Sequence, residues 1–180
     1  MIDERLLVAQ LKNSDTQELA FRNLMSLYKE RLYWHIRKIV LNHEDADDVL
    51  QNTFIKVFKN IHSFKENSKL YSWIYRIATN EAITFINKKA AKQHIDINEL
   101  QHKITDNLHE DPHYSGSEIQ QLLQKAIISL PQKQQLVFNM KYFDEMKYSD
   151  ISEILDTSVG ALKASYFHAV KKIEKFLKSY

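Results

Sequence analysis

Apolar residues recur along this chain at intervals of three and four, the spacing of amphipathic helices, and strictly alternating runs are absent. Ile2, Leu6, Leu7 and Leu11 predict a short first helix that ends near Asn13 and Ser14. Asp15, with Glu18 three residues on, has the pattern of a capping box and predicts the start of a second helix. That helix gathers Leu19, Ala20, Phe21, Leu24, Leu27, Tyr28, Leu32, Ile36 and Ile39 on one broad face and runs to about Leu41. Asn42 and His43 punctuate it. A third helix opens on Glu44, Asp45, Asp47 and Asp48, where the helix dipole favours carboxylates, and continues through Val49, Leu50, Thr53, Phe54, Val57 and Phe58 to about His62. A polar loop, 63–69, leads to a fourth helix carrying Trp73, Ile74, Ile77, Ala78, Ala82, Phe85 and Ile86. Four such faces can enclose one core, so residues 1–90 are expected to form a helical domain.

The period weakens over 91–117, which contains Pro112 and Gly116 and reads as a linker with one short helical turn around 97–104. A capping signal at Ser117 then begins a helix with Leu122, Leu123, Ala126, Ile127 and Leu130. Pro131 starts the next, where its missing amide costs little, with Leu136, Val137, Met140 and Tyr142 expected to face inward. Ser149 is expected to cap a short helix with Ile151, Ile154 and Leu155. After the break at 156–158, Ser158 is expected to cap a longer helix with Leu162, Tyr166, Ala169, Val170, Ile173 and Phe176 or Leu177 inside. Two helices joined by so short a turn form the helix-turn-helix arrangement, whose second helix can enter a DNA major groove. That helix exposes Lys163, Ser165, His168, Lys171, Lys172, Lys175 and Lys178. The expected fold is all-α: two helical domains, 1–90 and 118–180, joined by a linker.

Charge alters the picture more than composition does. The net charge of +2 conceals a basic 1–89 (+3), an acidic 90–118 (−4), a nearly neutral 119–156 (−1) and a basic 157–180 (+4). Two cationic modules on an acidic strap fit a nucleic-acid partner better than the sum suggests. The absence of cysteine excludes disulfides and thiolate zinc sites. With only two glycines, no phosphate-cradling loop is present, and no catalytic set is placed by a motif. The chain is therefore expected not to be an enzyme and to need no cofactor. His43 beside the acids, and the irregularly spaced His94, His102, His109 and His113, are poor metal sites, so no metal is expected. No run approaches a membrane span and no cleavable leader is evident, which predicts a cytoplasmic protein.

Two blocks match one family together. Asp45-Ala46-Asp47-Asp48-Val49-Leu50-Gln51-Asn52-Thr53-Phe54 resembles the acidic-aliphatic helix with which bacterial sigma factors grip core RNA polymerase. Phe64 followed by Trp73-Ile74-Tyr75-Arg76-Ile77-Ala78-Thr79-Asn80 is similar to their promoter-melting helix. Leu130-Pro131-Gln132, Tyr142-Phe143 and the paired helices from Ser149 onward resemble their C-terminal domain. With only these two domains, the resemblance is to the extracytoplasmic-function (ECF) subgroup of the sigma-70 family. It implies that Asp45, Asp47, Asp48, Gln51 and Phe54 dock on the clamp helices of polymerase, and that the C-terminal domain rests on its flap. It implies that Lys65, Asn67, Ser68, Lys69, Trp73, Arg76, Asn80, Thr84, Asn87 and Lys88 serve the minus-ten element, the loop capturing a flipped base. It implies that Ser158, Val159, Gly160, Ala161, Lys163, Ala164, Ser165, His168 and Lys171 face the minus-thirty-five element. The linker would thread the polymerase channel, and an anti-sigma factor would cover the same faces.

The chain departs from the family where Ala161 and Ser165 stand for a threonine or small residue and an arginine, and where Asp156 replaces a glycine that ends the first paired helix. Fewer arginines mean fewer bidentate guanine contacts, so base preference does not carry over. The alternative reading is a stand-alone helix-turn-helix transcriptional regulator, which would bind duplex DNA without polymerase.

Overall fold

The computed structural model describes residues 3–106 and 118–179, and every regular element among them is helical. α1 (Glu4–Lys12) is capped by Asp3, whose carboxylate accepts from the amides of Arg5 and Leu6. It buries Leu7, Val8 and Leu11, while Leu6 turns outward. α2 (Gln17–Val40) begins one residue later than the capping box at Asp15 predicts. Thr16 holds the cap position, and its hydroxyl donates to Gln10 O at 2.8 Å, tying α2 to the end of α1 instead. Leu41 closes α2 in the left-handed region, φ 63°. Asn42 caps α3 (His43–Asn60), accepting from the Asp45 amide at 3.0 Å. A single 3₁₀ turn, Ile61–Ser63, and the loop through residue 69 lead to α4 (Leu70–Lys92).

α4 is the spine. Leu70, Ile74, Ala78, Ala82, Ile86 and Ala90 are buried along it, in a run of four-residue steps. Small alanines in the middle let α2 and α3 approach closely, and Leu24, Leu32, Ile36, Val49, Val57 and Ile61 complete that core. The linker opens with a full helix, α5 (Ile97–Asp106), longer than the turn expected there. Leu100 packs with Ile86 and Ala90, so this helix is a continuation of the α4 surface. Residues 107–117 lie outside the described residues.

The C-terminal half packs α6 (Glu118–Ile128), α7 (Gln132–Phe138), α8 (Tyr148–Leu155) and α9 (Val159–Leu177). Pro131 sits at the cap of α7, where no amide is needed. α7 runs on into one π-helical turn, Asn139–Phe143. The wider turn rotates Tyr142 outward to 55% exposure, against the inward position expected, while Met140 stays buried and Phe138 stacks on both Tyr142 and Tyr166. α8 starts at Tyr148, and Lys147 rather than Ser149 is its cap residue. Asp156 ends it with φ 48°, the left-handed turn that an aspartate tolerates. Ser158 caps α9 as expected, accepting from the Ala161 amide at 3.3 Å.

Removing a side chain from the first core should cost far more than removing one from its rim. Leu24→Ala, at a fully buried site, should lose about 2–5 kcal/mol of stability. Leu19→Ala, on exposed α2 surface, should stay within about 0.5 kcal/mol. Urea midpoints of the two variants against the parent check this.

Candidate nucleic-acid interface

One stripe of α4 is left to solvent. Arg76, Asn80, Thr84, Asn87 and Lys88 are all exposed; Asn80 and Thr84 follow at four-residue steps, and the adjacent Asn87 and Lys88 lie three and four residues beyond Thr84, opposite the buried alanines. The stripe offers amides, a hydroxyl and cations, the groups that hold phosphate and unpaired base edges. Its N-terminal end is continuous with the loop, where Lys65, Asn67 and Lys69 are exposed and Ser68 is half-buried. Trp73 is half-buried and leans on Phe64, ring centres 5.2 Å apart, so it contributes shape more than free surface.

The loop is held in place by groups far away in sequence. Lys12 Nζ donates to the Phe64 carbonyl at 2.8 Å and to Glu66 Oε1 at 2.9 Å. Glu66 adopts φ 58°, a left-handed conformation that these bonds brace. Glu4 Oε1 accepts from the Leu70 amide at 2.8 Å and so caps α4 from α1. Beside the loop lies a polar cavity of about 360 Å³ between Glu4, Arg5, Val8, Phe64, Glu66 and Ser68.

In the same bundle, α2 and α3 enclose an open apolar groove of about 550 Å³. Phe21, Met25, Leu50, Phe54, Ile55 and Phe58 line it, with Asp47, Asp48 and Gln51 along one rim and Lys29 and Lys59 among its charges. Phe54 is 6% exposed, packs edge-on to Phe21 and forms floor. Asp47, Asp48 and Gln51 are exposed. Asp45 differs: it is turned to α4 and ion-paired with Lys89.

α9 forms the third face. Ser158, Val159, Gly160, Ala161, Lys163, Ala164, His168 and Lys171 are exposed, and Ser165 is half-buried. Gly160 has open space where a Cβ would stand, so the fold does not require a glycine there. Phe167 is exposed to 58% near the centre of this face, with Lys171 Nζ 5.9 Å from its ring.

These faces coincide with known family regions. The description sigma-70 region 2 matches residues 24–92, and sigma-70 region 4 matches residues 120–173. The ECF RNA polymerase sigma factor SigW of Bacillus subtilis is 30% identical over 99% of this chain and 97% of its own length. The chain belongs to the ECF subgroup of the sigma-70 family. The ECF RNA polymerase sigma-E factor of Haemophilus influenzae is 26% identical over 96% of the chain and 94% of its own. Among solved structures, CnrH in complex with the cytosolic domain of CnrY has the same fold, with a TM-score of 0.71 over 98% of this chain and 97% of that one at 18% identity. RpoE of Bartonella quintana, in complex with the anti-sigma factor NepR, gives 0.68 over 88% of this chain and 96% of that one at 20% identity. The protein is a sigma factor, and the stand-alone regulator falls away. Among the described residues no helix is long and apolar enough to cross a membrane, and no group of three or more His, Asp or Glu is placed to hold a metal.

In this sigma factor the region 2 and region 4 halves touch. Ile151 and Ile154 of α8 join the apolar cluster that contains Leu70, Ile74 and Ala78 of α4. Beside that seam, Asp144 is bound by His35 Nδ1 at 3.0 Å and by the Lys38 ammonium. His35 Nε2 lies 2.9 Å from Thr79 Oγ1, whose single proton is committed to the Tyr75 carbonyl at 2.7 Å. The His35 ring thus bridges a carboxylate on one side and a hydroxyl oxygen on the other. Burial alone would push the Asp144 carboxyl up, but the hydrogen bond and charge of His35, with Lys38, hold it below the usual aspartate value. Burial pushes the neighbouring Tyr71 hydroxyl up to about 12 and Tyr75 higher still, so neither titrates near neutrality.

Sequence reasoning missed Lys12 and Glu4 as braces, because their partners lie 52 to 66 residues away. It also missed Phe21, Met25 and Ile55 in the groove and Phe167 on α9. The last had a signal: at three positions after Ala164 and four after Lys163 it falls on the polar side of the helical wheel.

Because the Asp144 carboxyl is held low, its stabilisation is complete above the ordinary aspartate value of about 3.9 and is lost as pH falls through the lower folded value. The stability gap between the parent and Asp144→Asn should be widest at neutral pH and close on acidification below about pH 4. Urea unfolding at matched pH values measures it.

Proposed function

We propose that this sigma factor binds core RNA polymerase and directs it to promoters by dividing three faces among three tasks. The apolar groove between α2 and α3, with Asp47, Asp48 and Gln51 on its rim, seats the clamp helices of polymerase. Burial of Phe21, Phe54 and Phe58 against a partner supplies affinity, and the acids steer the encounter. Asp45 acts from behind, tying α3 to α4 through Lys89. The α4 stripe, Arg76, Asn80, Thr84, Asn87 and Lys88, with Lys65, Asn67 and Lys69 of the loop, engages the minus-ten non-template strand. Trp73 and Ser68 shape the end of that surface, and the polar cavity beside the loop receives a flipped base.

α9 enters the major groove at the minus-thirty-five element. Its amino-terminal residues, 158–165, approach the bases, while His168 and Lys171 lie further along the same face. Gly160, Ala161 and Ala164 keep that helix end slim, and Lys163 and Lys171 meet phosphates. Residues 1–90 and 118–180 work as two domains on polymerase, with 91–117 as the strap that threads its channel and α8–α9 resting near its flap. The chemistry of RNA synthesis belongs to polymerase, so this chain carries no catalytic residue or cofactor and acts in the cytoplasm. An anti-sigma partner, as the solved structures of CnrH and Bartonella RpoE each contain a second protein, would silence it by covering these faces.

The observation that carries this reading is that two matched regions of one chain each present an exposed stripe of cations and small polar groups. Run-off transcription with purified core polymerase on a genomic promoter library tests it. Promoter-specific transcripts that need the added chain are expected, and none would sink it. Lys163→Ala and Lys171→Ala should each weaken promoter binding by the holoenzyme and lower the slope of log affinity against log salt by about 0.9. An unchanged slope removes that lysine from the phosphate contacts. Gly160→Ala should leave the fold intact or raise stability by about 0.5–1 kcal/mol, while reducing transcription if DNA approaches the helix there. Full activity in that variant would place the duplex elsewhere.

A further inference from the structure

We infer that in the free chain α8 is an internal competitor for the promoter strand, latching the two halves shut across the minus-ten face. This rests on the function proposed above. Lys69 and Arg76, two of the cations assigned to the minus-ten strand, are already occupied. Lys69 Nζ lies 2.7 Å from Asp150 Oδ1, 81 residues away. Arg76 Nε donates to the Glu153 carbonyl at 2.9 Å, and its Nη2 reaches the same oxygen. These acceptors imitate what a nucleic acid would offer, a charged oxygen and a carbonyl. Glu153 stands in the last turn of α8, whose carbonyls lack intrahelical partners and carry the negative end of the helix dipole. Arg76 thus caps α8 from the other half. The Asp150 hydrogen bond and charge also hold the Lys69 ammonium above its ordinary value.

The closure is partial. Asn80, Thr84, Asn87 and Lys88 remain exposed, as does the reading face of α9. Only the end of α4 next to the loop is taken. Beneath the latch lie the apolar contact of Ile151 and Ile154 with the α4 cluster and the charged knot of Asp144 with His35 and Lys38. Lys69 and Arg76 are themselves at the surface, so a strand or polymerase can exchange with α8 without first exposing a buried charge. Closed and open chains are then two states of one equilibrium, and polymerase, by holding the two halves apart, selects the open one.

The chain has no cysteine, so a pair of spin labels can be placed cleanly at Arg22→Cys and Lys133→Cys, both exposed and outside the proposed contact sets. In the free, full-length parent the label distance should be single and narrow. In Asp144→Asn/Asp150→Asn, and in the parent bound to core polymerase, it should become broad and different. Asp150→Asn alone keeps the Asp144 knot and should give a mixture of the two. A fluorescein-labelled, mixed-sequence single-stranded DNA should bind the double variant up to about tenfold tighter if the parent is nine-tenths closed. Adding Lys69→Ala to it should remove much of that gain. A narrow, unchanged distance in both variants overturns the latch, and so does an opened variant whose DNA affinity matches the parent. Transcription by the parent with core polymerase is read separately. Opening without any transcription sinks the sigma-factor assignment of the faces and leaves the interdomain contact standing.

Discussion

Burial of one side of α4 is the interaction on which the rest depends. Each large aliphatic residue buried there contributes about 1.5–3 kcal/mol, and the line from Leu70 to Ala90 is shared by α2, α3, α5 and α8. Because that side is fully committed to packing, the other can be polar without loss of stability. A helix with a dry back and a wet front is a rigid rail for a strand of nucleic acid. Loop 63–69 extends the polar side, and its shape is dictated from outside by Lys12 and Glu4, so α1 would serve the proposed DNA face without being part of it.

Charge is distributed with the same logic. Acids that face solvent on α3 border an apolar groove, whereas Asp45 is turned inward against Lys89 and works for the fold. A deeply buried ionic group between the halves, Asp144 with His35 and Lys38, has a partner on each carboxylate oxygen, and Thr79 and Tyr75 complete the chain of bonds. A knot of this kind costs desolvation and gains geometry. Removing one member leaves the others stranded, which fixes how α2 meets the end of α7's π turn.

The helices themselves were legible. The three- and four-residue rhythm located α2, α3, α4 and α9 to within a few residues, and the left-handed turn at Asp156 was anticipated from its chemistry. What was not legible has a common cause. The caps expected at Asp15 and Ser149 gave way to tertiary choices: Thr16 bonds back to α1, and Lys147 opens α8 without a side-chain cap. Tyr142 was placed inward by a 3.6-residue period that the π turn widens. Lys12, Glu4, His35 and Asp144 act through partners tens of residues distant, and local pattern carries no record of them. For the candidate site, the exposed positions of α9 followed from the period, apart from the half-buried Ser165, while the α4 stripe was named from the family resemblance. The groove could be named only by its acids, because its aromatic floor reads as ordinary core until α2 and α3 are seen to part.

The central claim is that α4 turns its exposed side to the opened promoter while its buried side holds the protein together. A photo-crosslinking amino acid at Asn80, in holoenzyme assembled on a promoter, addresses it directly. The account predicts crosslinks to the non-template strand within the minus-ten region. Transcripts made at normal yield with no DNA crosslink from Asn80 would contradict it.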